Sequence, residues 1–141
     1  MPSASPADVL ARRRRLMLNG DADGLADLFT PDAVIEFCFH GPPGTPVRLE
    51  GREAIREYSR RVMASPLRLE DYEVTELYET QDPEVVIVEM RAKGTVTTTG
   101  RSFTATSIQV LRIRDGQIAL FRDFADPRLL EEVTGAARPG T

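Results

Sequence analysis

Apolar positions recur at helical spacing early in the chain and at a spacing of two in most of the rest, and the predicted elements follow from that change. From about Ala7 to Leu18, the residues Val9, Leu10, Arg13, Leu16 and Met17 lie near one stripe, and Asn19-Gly20 supplies a C-terminal stop. A second, short helix is predicted over Asp21 to Thr30, with Leu25, Leu28 and Phe29 facing inward and Pro31-Asp32 ending it. Ala33 to His40 then reads as a strand, rich in β-branched and aromatic residues. Ala33, Ile35, Phe37 and Phe39 share one face of it, and Val34, Glu36, Cys38 and His40 the other. GPPGTP, from Gly41 to Pro46, is a loop. Helical spacing returns over Arg52 to Met63, preceded by Gly51, with Ile55, Tyr58 or Ser59, and Val62 inward, and Ser65-Pro66 breaks it. The remainder predicts strands at Leu67 to Tyr78, Val85 to Val96, Arg101 to Arg114 and Gln117 to Phe124. Turns at Gln81-Asp82-Pro83, Thr99-Gly100 and Asp115-Gly116 separate them.

The end of this pattern, LRIRDGQIALFRDFADPRLL from Leu111 to Leu130, reads as strand, tight turn, strand and short helix. Asp115-Gly116 is suited to a two-residue hairpin loop, whose central residues need positive φ. On the second arm Ala119, Phe121, Asp123 and Ala125 share a face, while Ile118, Leu120, Arg122 and Phe124 share the other. A carboxylate on a lined sheet face is a candidate for chemistry. The opposite set, with Ile118, Leu120 and Phe124, is too apolar to leave wet and predicts a homodimer formed through the outer sheet face.

Three helices with one strand among them, then four strands in antiparallel meander, predict an α+β fold: a long curved sheet with helices on one face and a core or pocket between. The 141 residues suffice for one domain, with 1–6 and 134–141 as loose tails. A formal charge of −4 and the lack of a basic stripe interleaved with aromatics argue against a nucleic-acid partner. Arg12-Arg13-Arg14-Arg15 would spread around a helix, as solvated and snorkelling side chains. One cysteine, Cys38, allows no intramolecular disulfide, and with a single histidine a zinc site of the His/Cys type is not expected. No apolar run approaches the roughly 20 residues that span a bilayer. The N-terminus lacks the basic-then-apolar order of a signal peptide, so a cytoplasmic protein with no membrane partner is expected.

Three phrases, GDADGLADLFTPDAVIEF, LEGREAIREY and IRDGQIALFRDFADP, resemble the nuclear transport factor 2-like superfamily, which includes the SnoaL-like polyketide cyclases. The resemblance runs from Asp8 to Leu130 and implies a cone-shaped α+β barrel that works without a cofactor. Where ketosteroid isomerase carries its two acids and its helix-one tyrosine, this chain has Phe37, Gln109 and Arg13, so the isomerase chemistry by that route is excluded. The phrase Phe121-Arg122-Asp123-Phe124 is similar to limonene-epoxide hydrolase, and Asp123 falls on its water-activating aspartate. The Arg-x-Asp of that enzyme has its nearest match in Glu89-Met90-Arg91, with the charges reversed. SnoaL-like cyclases place a catalytic aspartate at Asp123 as well. The phenazine-biosynthesis A/B proteins resemble the chain at GPPGTPVRLEGREAI and TQDPEVVIVEMRAKG, and their pocket histidine matches His40 loosely.

Two functions follow. One is a cofactor-independent cyclase, isomerase or epoxide-hydrolase-like enzyme of secondary metabolism, acting on an apolar ring-containing or polyketide-like molecule. In it Asp123 is the acid/base, Arg91 and Glu89 orient it if they share its face, and His40, the only histidine, is a second proton carrier. Phe37, Phe39, Phe121, Tyr58 and Gln109 then bind substrate, and Tyr72 is a further possible donor. The other is a non-catalytic binding or dimerisation module of the same fold. Cys38 has no activating neighbour in the sequence, and a nucleophilic role is not expected.

Overall fold

The computed structural model describes residues 4–128. Helix α1 (Pro6–Leu18) starts where local chemistry satisfies its first amides. Ser5 Oγ accepts from the Asp8 amide and Asp8 Oδ2 accepts from the Ser5 amide, both at 3.2 Å, which makes a capping box with Pro6 in the first turn. The expected loose lead-in through residue 6 is therefore shorter, because Ser5 and Pro6 belong to the cap and the helix. The tail expected from residue 134, and most of the short helix expected after Asp126, lie outside the described residues.

Helix α2 (Ala22–Asp27) is shorter than the sequence pattern predicts. Asp21 caps it, its Oδ1 accepting from the Gly24 amide at 2.8 Å. Phe29 is not the end of that helix but the start of strand β1 (Phe29–Phe37), where it pairs with Ile118. Pro31 lies within β1, in the irregular stretch between the Phe29 and Val34 pairings, where a residue without an N–H removes no ladder hydrogen bond. Strand β2 (Val47–Glu50) was not legible in advance: it has four residues, follows the Pro/Gly loop, and pairs antiparallel at the edge of β1. Helix α3 (Arg52–Met63) follows Gly51, whose φ of 90° is open to glycine and strained for other residues.

Strands β3 (Leu67–Glu79), β4 (Val85–Val96), β5 (Arg101–Arg114) and β6 (Gln117–Asp123) form the expected antiparallel meander. Asp115 and Gly116 turn β5 into β6 with φ of 52° and 77°, both positive, as the two-residue loop demands. The six strands make one curved sheet in the order β2-β1-β6-β5-β4-β3. β1 runs parallel to β6, setting Phe37 opposite Asp123. The fold is α+β, with the helices against the concave sheet face.

Val9, Leu10, Leu25, Leu28, Phe29, Ile35, Ile55, Val86, Val88 and Leu111 fill the core between helices and sheet. One expected face is corrected. Arg112 pairs with Leu120 but Ile113 pairs with Ile118, so Ala119 is an extra residue in β6. That bulge reverses the alternation and turns Ile118 into the core beside Phe121, instead of onto the outer face with Leu120 and Phe124.

Candidate active site

A cavity of about 470 Å³ lies between α1, α3 and the concave face of β1 and β6. Leu25, Phe29, Ile35, Ile55 and Phe121 give it apolar walls, and the exposed residues Asn19, Gly20, Val62 and Arg68 mark its mouth. Asp123 is the one carboxylate among the described lining residues. It stands at the end of β6, two positions beyond Phe121 on the same face, as the alternation predicts.

The carboxylate is held from one side. Ser107 donates to Asp123 Oδ1 at 2.5 Å and the Ala125 amide donates to the same oxygen at 3.1 Å. Oδ2 has no donor among the described residues. Tyr58 and Ser59 of α3 both line the cavity, resolving the choice between them that helical spacing left open. Burial, followed by the negative charge of Asp123 and opposed by Arg61, pushes the Tyr58 phenol above its ordinary 10.0. Tyr58 therefore remains a protonated donor across the neutral range. Phe37 packs on it with ring centroids 5.3 Å apart.

Arg13 is the residue that sequence reasoning misplaced. It was expected to snorkel to solvent with its arginine neighbours, but it is 9% exposed and lines the cavity. Its NH1 donates to the Tyr72 hydroxyl at 2.6 Å, and that hydroxyl donates to Gln109 Oε1 at 3.1 Å. The guanidinium carbon lies 4.5 Å from the centroid of Phe121 and 5.3 Å from that of Tyr72, cation–π contacts worth about 0.5–2 kcal/mol each. The signal was present: Arg13 falls on the stripe of Val9, Leu10, Leu16 and Met17. Arg14, one position on, reaches out instead to the Tyr72 carbonyl at 2.6 Å and to Asp71 at 3.1 Å.

The other expected site residues divide. Phe37 and Phe121 line the cavity, whereas Gln109 is buried behind it in the Arg13–Tyr72–Gln109 chain, as the Cα partner of Asp123. Phe39 is not a wall residue: β1 ends at Phe37, and Phe39 is 59% exposed with its ring 5.6 Å from Phe124. His40 does not line the cavity either. Its ring meets Phe37 edge-on at 5.6 Å, and its Nδ1 is buried without a hydrogen-bond partner.

Glu89 and Arg91 do not join Asp123. The concave face of β4 carries Val86, Val88, Met90 and Ala92, which puts Glu89 and Arg91 on the convex face. Glu89 accepts from the Tyr78 hydroxyl at 2.5 Å and Arg91 reaches Glu73 at 3.5 Å. Both contacts are on the outside, so the acid–arginine–acid cluster does not assemble. Cys38 is half-buried, and burial raises its thiol above the ordinary 9.0, which disfavours a thiolate. Among the described residues no three His, Cys, Asp or Glu side chains converge as a metal site, and no helix is long and apolar enough to cross a membrane.

Comparison with known proteins agrees with this architecture. An uncharacterised PhzA/B-like protein of Pseudomonas aeruginosa is 43% identical over 129 residues, covering 91% of this chain and 89% of its own. The crystal structure of a candidate isomerase from Bacillus subtilis superposes with a TM-score of 0.84 at 30% identity, covering 94% of each chain. SalBIII, an epoxide hydrolase/cyclase-like enzyme in pyran ring formation in the polyether salinomycin, superposes at 0.69 with 25% identity, covering 87% of this chain and 92% of its own. Residues 11–121 match the SnoaL-like domain. With its six-stranded curved sheet, the chain belongs to the SnoaL-like domain family of the nuclear transport factor 2-like superfamily.

Proposed function

We propose that the protein is a small, cofactor-independent enzyme of secondary metabolism, a cyclase, isomerase or epoxide-hydrolase-like catalyst acting on an apolar ring-containing or polyketide-like molecule. The observation that carries this reading is Asp123, the one carboxylate among the described residues of an apolar cavity, with Oδ1 held by Ser107 and Ala125. Asp123 takes a proton from a substrate carbon or hydroxyl, or from an attacking water, and returns it after the bond change. Tyr58, kept protonated, donates a hydrogen bond to the substrate oxygen that gains charge. A cavity of about 470 Å³ suits a two- or three-ring ligand. The relation to SalBIII supports this class of reaction.

The test is a thermal-shift screen of ring-bearing ketones, epoxides and linear polyketide mimics, followed by turnover assays on the hits. Asp123→Asn is expected to lower kcat by about 10²–10⁴-fold with the fold intact. Unchanged turnover in that variant removes Asp123 from the mechanism. The outward placement of Glu89 and Arg91 favours the second reading, a non-catalytic binding module. Saturable binding with no turnover across the panel selects it.

We propose a homodimer as well, formed through the convex sheet face in the cytoplasm. Ile108, 50% exposed, adjoins Phe124, whose amide donates to the Ile108 carbonyl, and Phe124 packs on the exposed Phe39. Leu120 extends this surface, while Ile118 does not contribute to it. A monomer by light scattering at micromolar concentration contradicts the proposal.

A further inference from the structure

Arg13 has more donors than the protein satisfies. A guanidinium remains charged at every physiological pH and offers five N–H donors in a planar fork. Among the described residues NH1 alone has an acceptor, the Tyr72 hydroxyl, and Nε is buried with no hydrogen-bond partner. Tyr72 and Phe121 set aromatic rings beside the guanidinium and give it no counter-charge. Among the described residues no carboxylate forms an ion pair with Arg13, although Arg14, its neighbour, is paired to Asp71. A buried cation without an anion is a costly arrangement, and its usual resolution is a partner within reach. Arg13 lines the cavity, where a ligand can supply that partner.

We infer that the cavity takes an anionic ligand, a carboxylate-bearing apolar ring compound whose carboxylate lies on Arg13. This inference rests on the reading of the cavity as the substrate site and deepens it. The spacing fits such a molecule. Phe121, on which Arg13 stacks, is two residues before Asp123 on one strand face, about 7 Å along the strand. A ligand anchored by its carboxylate at Arg13 extends its ring toward Asp123 and Tyr58, along walls formed by Ile35 and Phe37. Asp123 is not the counter-ion in the resting protein: no ion pair between it and Arg13 forms, and Ser107 and Ala125 hold its Oδ1 in place. The two charges stay apart, one to hold the acid and one to act on the ring. The fork geometry prefers a carboxylate to a neutral carbonyl, which accepts hydrogen bonds but cannot neutralise the cation.

The test uses a matched pair of probes, 2-naphthoate and 2-naphthamide, which share shape and ring system and differ in charge. Calorimetric titration of the full chain at neutral pH is expected to show the carboxylate binding at least tenfold tighter. Arg13→Met is expected to bring the two within twofold of each other, and Arg13→Lys to restore part of the preference. Circular dichroism and thermal melts show whether those variants fold, and the wild-type comparison stands without them. Equal binding of the two probes, a preference for the amide, no binding of either up to millimolar concentration, or a preference that persists in folded Arg13→Met each overturn the inference. Asp123→Asn separates it from the catalytic reading. Carboxylate preference retained in that variant, with turnover also retained, defeats acid/base catalysis by Asp123 and leaves the anion site standing. Asp123-dependent turnover confined to neutral substrates does the reverse.

Discussion

Ser107 and Asp123 meet across the seam between β5 and β6, the serine hydroxyl donating to Oδ1 at 2.5 Å. Asp123 is therefore oriented by a neighbouring strand, and its rotamer does not depend on a ligand. Ser107→Ala removes the donor and leaves only the Ala125 amide on that oxygen. A hydrogen bond to a charged group is worth about 1.5–3 kcal/mol, so turnover that depends on Asp123 is expected to fall by roughly tenfold to a hundredfold. KM for a substrate anchored elsewhere should change little. Steady-state kinetics of the variant, beside its melting curve, checks this.

The bulge at Ala119 makes a prediction about stability. Ile118 is fully buried in the main core and Leu120 is half-buried on the convex face. Ile118→Ala is expected to cost about 2–5 kcal/mol, as large-to-small changes in a packed core do, and Leu120→Ala clearly less. Urea denaturation of the two variants decides. Strict alternation along β6 predicts the opposite order.

Tyr58 titrates late. Burial is the main cause and the charge of Asp123 the second, both favouring the neutral phenol. Because the folded value lies above that of the unfolded chain, the contribution to stability is complete below pH 10.0 and is lost as pH rises through the folded value. In a phenolate absorbance titration, Tyr58→Phe is expected to remove a component that ionises above the ordinary range. Asp123→Asn should move that component back down without abolishing it.

On the acid side the sign is opposite. Asp23 is held below its ordinary 3.8 by Arg56 first and Arg60 second. Asp82 is held below 3.8 by the Glu84 amide and then Arg112, and Glu84 below 4.5 by Arg114 and Arg112. Folded values below unfolded ones stabilise the protein fully above about pH 4.5 and progressively less as pH falls through them. The urea midpoint is expected to be flat near neutrality and to decline below about pH 4, with a shallower decline in Asp23→Asn. These groups are exposed, so added salt should diminish the effect.

Legibility followed the range of the forces involved. The hairpin at Asp115-Gly116 and the helix stop at Asn19-Gly20 are local in origin, and both were readable. Leu25, Leu28 and Phe29 have helical spacing and predict a helix through Phe29, yet pairing with Ile118 near the other end of the chain draws it into the sheet. β2 has too few residues for its own pattern and exists because β1 offers it an edge. Glu89 and Arg91 were ambiguous because Val85 and Ile87 share their side of β4, so alternation alone did not say which side is concave. Asp123 was readable, since strand alternation and family resemblance pointed to it together. Arg13 was not, although it lay on an apolar stripe, because an arginine at such a position ordinarily carries its charge to water. What holds it inside is Tyr72, from a strand far along the chain.

The strand order carries a consequence for how the molecule comes into being. β6, near the C-terminal end of the described chain, sits between β1 and β5 and is the only strand that joins the β2–β1 pair to the β5–β4–β3 meander. A nascent chain released as far as Arg114 holds two sheet fragments with no hydrogen-bonded seam between them, and the wall opposite α3 is missing. Closure waits for β6, whose pairing with β1 spans most of the sequence and carries the entropic cost of so long a loop. The strand that delivers Asp123 is thus also the one that completes the chamber around it, so the carboxylate and its enclosure arrive in the same folding event.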